Sequence, residues 1–150
     1  MNREEIMTIL PHRDPMLLID DASKNEDGTA TAHYTVRGDE FFLKGHFPGN
    51  PIVPGVIQCE MMAQSACVLL AGELSGKNAL AVYTGIDKVK FRRMVKPGDT
   101  AVIEVRPVRS CPPLYSVHGE LRVDGELCAS GDLSFVITGI SRKDGTSAKE

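Results

Sequence analysis

The clearest alternation of apolar and polar residues lies between Thr29 and Val36. Every second residue is apolar or aromatic, namely Ala30, Ala32, Tyr34 and Val36. Because successive side chains of a strand point to opposite faces, this pattern predicts a half-buried strand. Apolar runs bounded by turn-forming residues predict further strands at Met16–Ala22 and at about 79–92, 99–109, 114–123 and 126–138.

Glycines mark two irregular points in the later strands. Asp124-Gly125 separates the last two strands, and this dipeptide favours a tight type I′ hairpin. Gly85 lies in the middle of the strand predicted at 79–92. An isolated glycine there predicts a β-bulge or a close approach of another group.

One long stretch is apolar on nearly every side. It begins at Pro54, which suits the first turn of a helix because its missing N–H needs no partner there, and it continues to about Leu74. Its only charged residues are Glu60 and Glu73. Such a helix must be buried, so the strands before and after it must cover it. The sequence therefore predicts an α+β fold, with a mostly antiparallel sheet wrapped around one long central helix.

Length and composition are typical of one domain. The chain has 150 residues, 42% of them hydrophobic, and a net charge of −3, which argues against non-specific nucleic-acid binding. We expect the domain to span residues 1–138 and the polar segment 139–150 to be disordered. The N-terminus lacks a secretory signal, and no apolar run reaches the ~18 residues that span a membrane. The four cysteines form no CxxC pair, which predicts reduced thiols in a cytoplasmic protein.

The candidate chemistry lies where a Pro/Gly-rich loop enters the long helix. His46 belongs to the loop, and histidine is the side chain best suited to take up a proton near neutral pH. Glu60 has small or apolar neighbours at helical spacing, so burial is expected to raise its pKa and keep it protonated. Gly55 offers a backbone N–H at the helix start, where the dipole stabilises negative charge.

A base, an acid and an oxyanion donor are the groups needed to remove a proton beside a carbonyl and expel a β-leaving group. A loop histidine and a buried glutamate bonded to Gln64 can equally be structural, and residue chemistry alone leaves both interpretations open. For His12, in the polar loop that ends at Pro15, the pattern predicts a solvated turn without a catalytic role.

Several segments resemble the FabZ-type (3R)-hydroxyacyl-acyl-carrier-protein dehydratases. The central ones are Gly45-His46-Phe47-Pro48-Gly49-Asn50-Pro51, Pro54-Gly55-Val56, and Glu60 with Met62-Ala63-Gln64. The resemblance extends in order over roughly residues 6–137, and includes Leu10-Pro11-His12-Arg13 and Val95-Lys96-Pro97-Gly98-Asp99. Met61, where the family commonly has alanine, and the turn Cys111-Pro112-Pro113 depart from the family pattern.

The resemblance implies a hot-dog fold and the conversion of (3R)-hydroxyacyl thioesters to trans-2-enoyl thioesters in type II fatty acid synthesis. It implies His46 as base, Glu60 as acid and Gly55 as oxyanion donor, without metal or organic cofactor. We also expect Phe47, Pro54 and Gln64 to contact substrate or carrier. The substrate would arrive on the phosphopantetheine arm of an acyl carrier protein, and no nucleic acid or membrane is expected as partner.

The resemblance further implies a homodimer that assembles into a trimer of dimers. Two physical observations point to a site shared between chains. A sheet wrapped around one helix leaves a bare edge that favours a partner strand. The proline-rich segment Phe47–Pro54 is stiff and extended, while Glu60 lies roughly 9 Å along the helix from its start. His46 and Glu60 of one chain therefore need not meet.

Basic residues cluster near the end of the strand predicted at 79–92. They are Lys88, Lys90, Arg92, Arg93 and Lys96. Strand alternation would put the first three on one face, although a solvated strand face is the usual explanation of such a stripe. Because the molecule as a whole is acidic, we expect this stripe to dock the acidic carrier protein.

Three other functions stay open. A bifunctional dehydratase/isomerase would also convert the trans-2 product to cis-3, and Glu60 does not exclude it. A hot-dog thioesterase would hydrolyse the same kind of thioester. A non-catalytic acyl-binding module would not need both His46 and Glu60.

Overall fold

The apolar stretch after Pro54 forms the central helix. In the computed structural model, which describes residues 1–74 and 79–139, α1 spans Arg3–Ile6 and α2 spans Gly55–Cys67. A 3₁₀ turn and the short helix α3, Ala71–Leu74, continue α2 to the predicted end. Pro54 is the N-cap, and its carbonyl accepts hydrogen bonds from the N–H groups of Ile57 and Gln58.

By length and composition, the helical stretch Gly55–Leu74 is long and apolar enough to cross a membrane, contrary to the expectation that no segment of the chain is. However, 61% of its most apolar window is buried inside the fold. Met61, Met62 and Ala66 have no exposed surface. The surrounding sheet accounts for the apolar character of the helix.

In the part of the chain that the structure describes, six strands form one antiparallel sheet. They are β1 (Asp21–Lys24), β2 (Ala30–Thr35), β3 (Ala79–Phe91), β4 (Thr100–Cys111), β5 (Leu114–Val123) and β6 (Glu126–Gly139). Their order across the sheet is β1-β2-β4-β5-β6-β3, so β1 and β3 are its edges. Helix α2 contacts β2, β4, β5 and β6. This arrangement confirms the predicted α+β fold with a sheet wrapped around one helix.

Helix α2 packs closely against the sheet at Gly119 of β5. A Cβ atom at this position would lie 2.8 Å from the sulfur of Met62. Any larger residue at this position would have to displace the buried methionine, so glycine permits the close packing of the helix on this strand.

The hairpin prediction is confirmed. Val123 pairs with Glu126, and the two turn residues, Asp124 and Gly125, have φ values of 51° and 77°, as a type I′ turn requires. Strand β6 continues to Gly139, one residue into the segment predicted to be a tail. The rest of that segment, residues 140–150, lies outside the described residues.

The strand predicted at Met16–Ala22 is wrong in its bounds. Strand β1 begins only at Asp21. The preceding backbone bonds to a side chain of α2, because Leu18 N–H donates to Gln64 Oε1 at 2.8 Å and the Met16 carbonyl accepts from Gln64 Nε2 at 2.8 Å. Leu17, Leu18 and Ile19 are buried against the core as loop residues, which explains why this apolar run resembles a strand.

Edge strand β3 contains two β-bulges. Its register with β6 shifts between Tyr83 and Gly85, as the mid-strand glycine predicted, and again between Asp87 and Lys90. Lys88 has a φ of 53° in the second bulge. The simple alternation that placed Lys88, Lys90 and Arg92 on one strand face is therefore wrong, because an extra residue interrupts it.

The bulges also determine which residues of β3 face the helix. Tyr83 pairs with Phe135, and Phe91 pairs with Ala129. These β6 partners are buried. Because directly paired residues lie on the same face of a sheet, Tyr83 and Phe91 both face inward.

Candidate active site

Glu60 faces a partly open cavity between α2 and the edge of the sheet. The cavity has a volume of about 280 Å³. Its polar lining residues His12, Gln64 and Tyr83 all contact the Glu60 carboxylate. The other lining residues are mostly apolar, namely Ala63, Cys67, Ala81, Val82 and Phe135. A cavity with one polar end and a mostly apolar remainder suits a ligand that has a reactive head and a hydrocarbon chain.

Among the described residues, three side chains lie within hydrogen-bonding distance of the Glu60 carboxylate. Tyr83 OH donates to Oε1 at 3.2 Å, and Gln64 Nε2 donates to Oε2 at 3.0 Å. His12 Nε2 lies 3.4 Å from Oε2. Burial is the largest single influence and raises the pKa of Glu60, but His12, Gln64 and Tyr83 together outweigh it, so the pKa lies below its ordinary value. The predicted rise of this pKa is therefore wrong for the single chain.

Gln64 is a buried connector between the N-terminal segment and Glu60. Its side chain is 1% exposed. Besides the bond to Glu60, its amide bonds to the backbone of Met16 and Leu18. The side chain lines the cavity, but both of its N–H groups are used within the protein. It holds the acid in place.

His12 is not the solvated residue that its polar loop suggested. Its side chain is 28% exposed and reaches Glu60. Arg13 fixes the loop by donating to the carbonyls of Met7, Leu10 and His12. The Nδ1 atom of His12 is buried and has no hydrogen-bond partner among the described residues, so an Nε2–H tautomer directed at the carboxylate fits this site best. The segment Leu10-Pro11-His12-Arg13, already noted in the resemblance, was the signal for this residue.

His46 is held by the loop that precedes the helix. Its Nδ1 lies 3.0 Å from the carbonyl oxygen of Ile52, and the N–H of Ile52 donates to the carbonyl of His46 at 2.9 Å. Because a carbonyl only accepts, Nδ1 carries the hydrogen and Nε2 keeps a free lone pair. The ring stacks on Phe47 with centroids 4.2 Å apart. This orientation leaves Nε2 available as a base.

Gly55 opens helix α2 beneath an aromatic ring of β3. A Cβ at this position would lie 2.7–3.0 Å from ring atoms of Phe91, so any side chain would displace that ring. Within the described part of the chain, the Gly55 N–H makes no hydrogen bond. The helix start therefore offers one free donor in the cleft that also contains His46 and Pro54.

One chain does not bring His46 and Glu60 together in a single pocket. His46 and Gly55 line the cleft under Phe91, whereas Glu60 lines the cavity beside Tyr83. Both hollows lie along β3. The surface there is apolar and exposed, with exposed fractions of 75% for Val56, 51% for Ile86, 52% for Phe91 and 55% for Met94.

The basic residues differ in their surroundings. Arg92 and Arg93 line the same cleft as His46. Arg93 is partly engaged, because its Nε lies 3.1 Å from Glu126 and its guanidinium contacts the sulfur of Cys128. The other basic residues of the group, Lys88, Lys90, Arg92 and Lys96, are exposed and form no ion pair with the described residues.

Comparison with known proteins gives consistent matches over most of the chain. The sequence model of the FabA-like domain matches residues 10–132. The 3-hydroxyacyl-[acyl-carrier-protein] dehydratase FabZ of Lactococcus lactis subsp. cremoris is 40% identical over 137 residues, which cover 91% of this chain and 95% of that protein. The protein of the same name from Streptococcus pneumoniae is 42% identical over 134 residues, with coverages of 89% and 96%.

Solved structures show the same fold at lower identity. A chain of the dehydratase heterocomplex ApeI:P from Xenorhabdus doucetiae has a TM-score of 0.75 and 24% identity, covering 87% of this chain and 89% of that one. The E. coli PaaI protein has a TM-score of 0.60 and 16% identity, covering 77% and 81%. At these identities the likeness concerns the fold alone.

Proposed function

This chain belongs to the FabA-like family and, within it, to the FabZ-type 3-hydroxyacyl-[acyl-carrier-protein] dehydratases, and we propose that it catalyses this dehydration. His46 and Glu60 act in a site that two copies of the chain build together. The substrate is a (3R)-hydroxyacyl chain on an acyl carrier protein, and the products are the trans-2-enoyl thioester and water. The observation that carries this proposal is that His46 and Glu60 line separate hollows along one exposed strand edge.

Elimination of water requires one proton to leave C2 and one to reach the C3 hydroxyl. His46 Nε2 takes the C2 proton while the Gly55 N–H stabilises the charge that develops on the thioester oxygen. The C2 electron pair forms the double bond as the C3–O bond breaks. Glu60 protonates the departing hydroxyl, which leaves as water.

The low pKa of Glu60 means that the acid must gain a proton before it acts. Three donors favour the ionised form of this carboxyl group. An acyl chain that fills the cavity would exclude water from the carboxylate, and desolvation favours the neutral form. We therefore expect proton uptake by Glu60 to accompany substrate binding.

The exposed edge β3 supports a dimer. Pairing of β3 with β3 of a second copy would satisfy the free backbone groups of this edge and cover the apolar residues around it. Such pairing would place the His46 cleft of one copy against the Glu60 cavity of the other. The trimer of dimers that the resemblance implied stays a prediction, and so does the cytoplasmic location, which is consistent with the free thiols of Cys59, Cys67, Cys111 and Cys128.

Product analysis tests the reaction. The purified protein is supplied with 3-hydroxyacyl-carrier substrates of several chain lengths, and every product is identified. We expect trans-2-enoyl thioesters, which absorb in the near ultraviolet. A free thiol without enoyl product would indicate a thioesterase, and additional cis-3 product would establish the isomerase activity that Glu60 leaves open.

We further propose that the carrier protein docks on the basic residues beside the His46 cleft. The double substitution Lys90→Glu and Arg92→Glu should lower kcat/KM for carrier-linked substrate by roughly 10-fold or more, because it reverses the charges that steer an acidic partner. Turnover of small thioester analogues should stay unchanged. Added salt should weaken only the carrier reaction, since surface charges are screened within about 10 Å at 0.1 M.

A matched control for this docking surface is Lys24→Glu, an exposed lysine on the opposite sheet edge β1. This change should leave both substrates unaffected. An equal loss on carrier-linked and small substrates in the double variant would show that Lys90 and Arg92 support the fold and do not bind the carrier.

The proposed reaction uses no metal ion. The described residues contain no group of three or more His, Cys, Asp or Glu side chains that could hold one. Because the proposed steps need only His46, Glu60 and the Gly55 N–H, prolonged treatment with a chelator should leave the dehydration rate unchanged. A loss of activity that is restored by adding a divalent metal would contradict this expectation.

A further inference from the structure

Tyr83 holds the oxygen of Glu60 that the other donors do not contact. We propose that Tyr83 is a positioning residue for the dehydration described above, because its hydroxyl fixes Glu60 Oε1 so that the carboxyl group presents its proton to the substrate in one orientation. This inference rests on the proposed function. It concerns a residue that acts through Glu60 and not on the reacting atoms.

The geometry divides the donors between the two carboxylate oxygens. Gln64 and His12 approach Oε2 at 3.0 Å and 3.4 Å, whereas Tyr83 OH approaches Oε1 at 3.2 Å. The Tyr83 hydroxyl also lies 3.4 Å from the carbonyl oxygen of Cys59. Rotation of the carboxyl group about its last bond would break contacts on both oxygens, so Tyr83 adds to the restraint that Gln64 and His12 place on the group.

The fold explains how Tyr83 reaches the acid. It lies on β3 opposite Phe135, next to the first bulge, and its ring lines the Glu60 cavity. A phenylalanine would fill the same space, since the ring alone makes the packing contacts. The hydroxyl therefore adds a polar contact to a position that packing does not require to be polar.

Tyr83 serves only as a donor. Burial and the neighbouring Glu60 charge raise the pKa of Tyr83 far above neutrality. The other titratable groups that face Glu60 are His12 from the N-terminal segment and Cys59 and Cys67 from α2. Burial raises the pKa of Cys59, and it raises the pKa of Cys67 to about 12. Both thiols and the phenol therefore stay protonated while Glu60 titrates.

The test is the pH profile of kcat for Tyr83→Phe. Loss of one hydrogen bond to a charged group should reduce kcat by about 10-fold at neutral pH. Without the Tyr83 hydroxyl, one fewer donor stabilises the ionised carboxylate, so the pKa of Glu60 rises. Glu60 therefore keeps its proton to higher pH. The descending alkaline limb of the profile should move to higher pH, which the loss of a packing contact would not cause.

The matched control is Tyr34→Phe. Tyr34 OH donates to Glu40 at 2.8 Å, away from the cavity, so this variant loses the same kind of tyrosine–carboxylate bond. It should leave the alkaline limb where it is. An unshifted limb in Tyr83→Phe, with or without a uniform loss of rate, would overturn the proposal.

A second measurement needs no substitution and covers the case in which Tyr83→Phe does not fold. Uniform replacement of tyrosine by fluorotyrosine makes the phenol a stronger donor, so the alkaline limb of the otherwise unchanged chain should move to lower pH. An unmoved limb would overturn the proposal. If the unsubstituted protein forms no enoyl product, the proposed function fails by itself, whatever Tyr83 does.

Discussion

A folded Glu60→Gln enzyme should lose about 10² to 10⁴ in turnover rate, which is the usual cost of removing a general acid. Glutamine keeps the shape of the side chain, but its single amide oxygen can accept from only one of Tyr83 and Gln64, because these donors contact different carboxylate oxygens. It has no proton to transfer to the C3 hydroxyl. The loss should therefore appear in kcat for carrier-linked and small thioester substrates alike.

The control for this loss is Glu73→Gln. Glu73 lies at the far end of the same helical stretch and is exposed. That variant should retain wild-type turnover. If Glu60→Gln is folded, has the wild-type oligomeric state and turns over at near-normal rate, then Glu60 is not the acid.

Two inactive proteins should restore activity to each other when they are refolded together. His46→Ala lacks the base and Glu60→Ala lacks the acid. In a two-fold dimer with shared sites, a heterodimer combines the intact His46 of one chain with the intact Glu60 of the other. Random pairing makes half of the dimers mixed, each with one complete site, so the mixture should reach about a quarter of wild-type activity.

The control mixture combines His46→Ala with the double variant His46→Ala/Glu60→Ala. No pairing of these chains contains an intact base, so it should stay inactive. Native mass spectrometry establishes that heterodimers have formed. Heterodimers of the two single variants that remain inactive would show that each chain builds its own site.

The sequence predicted the regular parts of the fold because their patterns are local. Alternation in β2, the bounds of β5 and the Asp124-Gly125 turn depend on neighbouring residues only, and the structure confirms them. The glycine at position 85 likewise marked a bulge. The long helix was recognisable because a stretch that is apolar on all sides must be surrounded by the rest of the chain.

The errors arise where distant parts of the chain meet. The backbone around Leu18 bonds to Gln64 instead of forming a strand, and no local pattern records that bond. His12 lies in a polar loop, yet the fold brings it to Glu60. The pKa of Glu60 was predicted from burial alone, whereas the three donors that lower it come from three separate segments. The bulge at Lys88 interrupts the strand alternation that the sequence predicted for Lys88, Lys90 and Arg92.

The hydrogen bonds of the Gln64 side chain also bear on when Glu60 acquires its donors during folding. It bonds to backbone groups that lie 46 and 48 residues away in the chain. Contacts between segments so far apart carry a loop-closure cost and are late events compared with the turns of a helix. His12 belongs to the same N-terminal segment, so Glu60 receives its complete set of donors only when that segment docks. A chain that had formed its sheet and helix, but whose first twenty residues were still undocked, would resemble the native protein in secondary structure and lack a fixed acid.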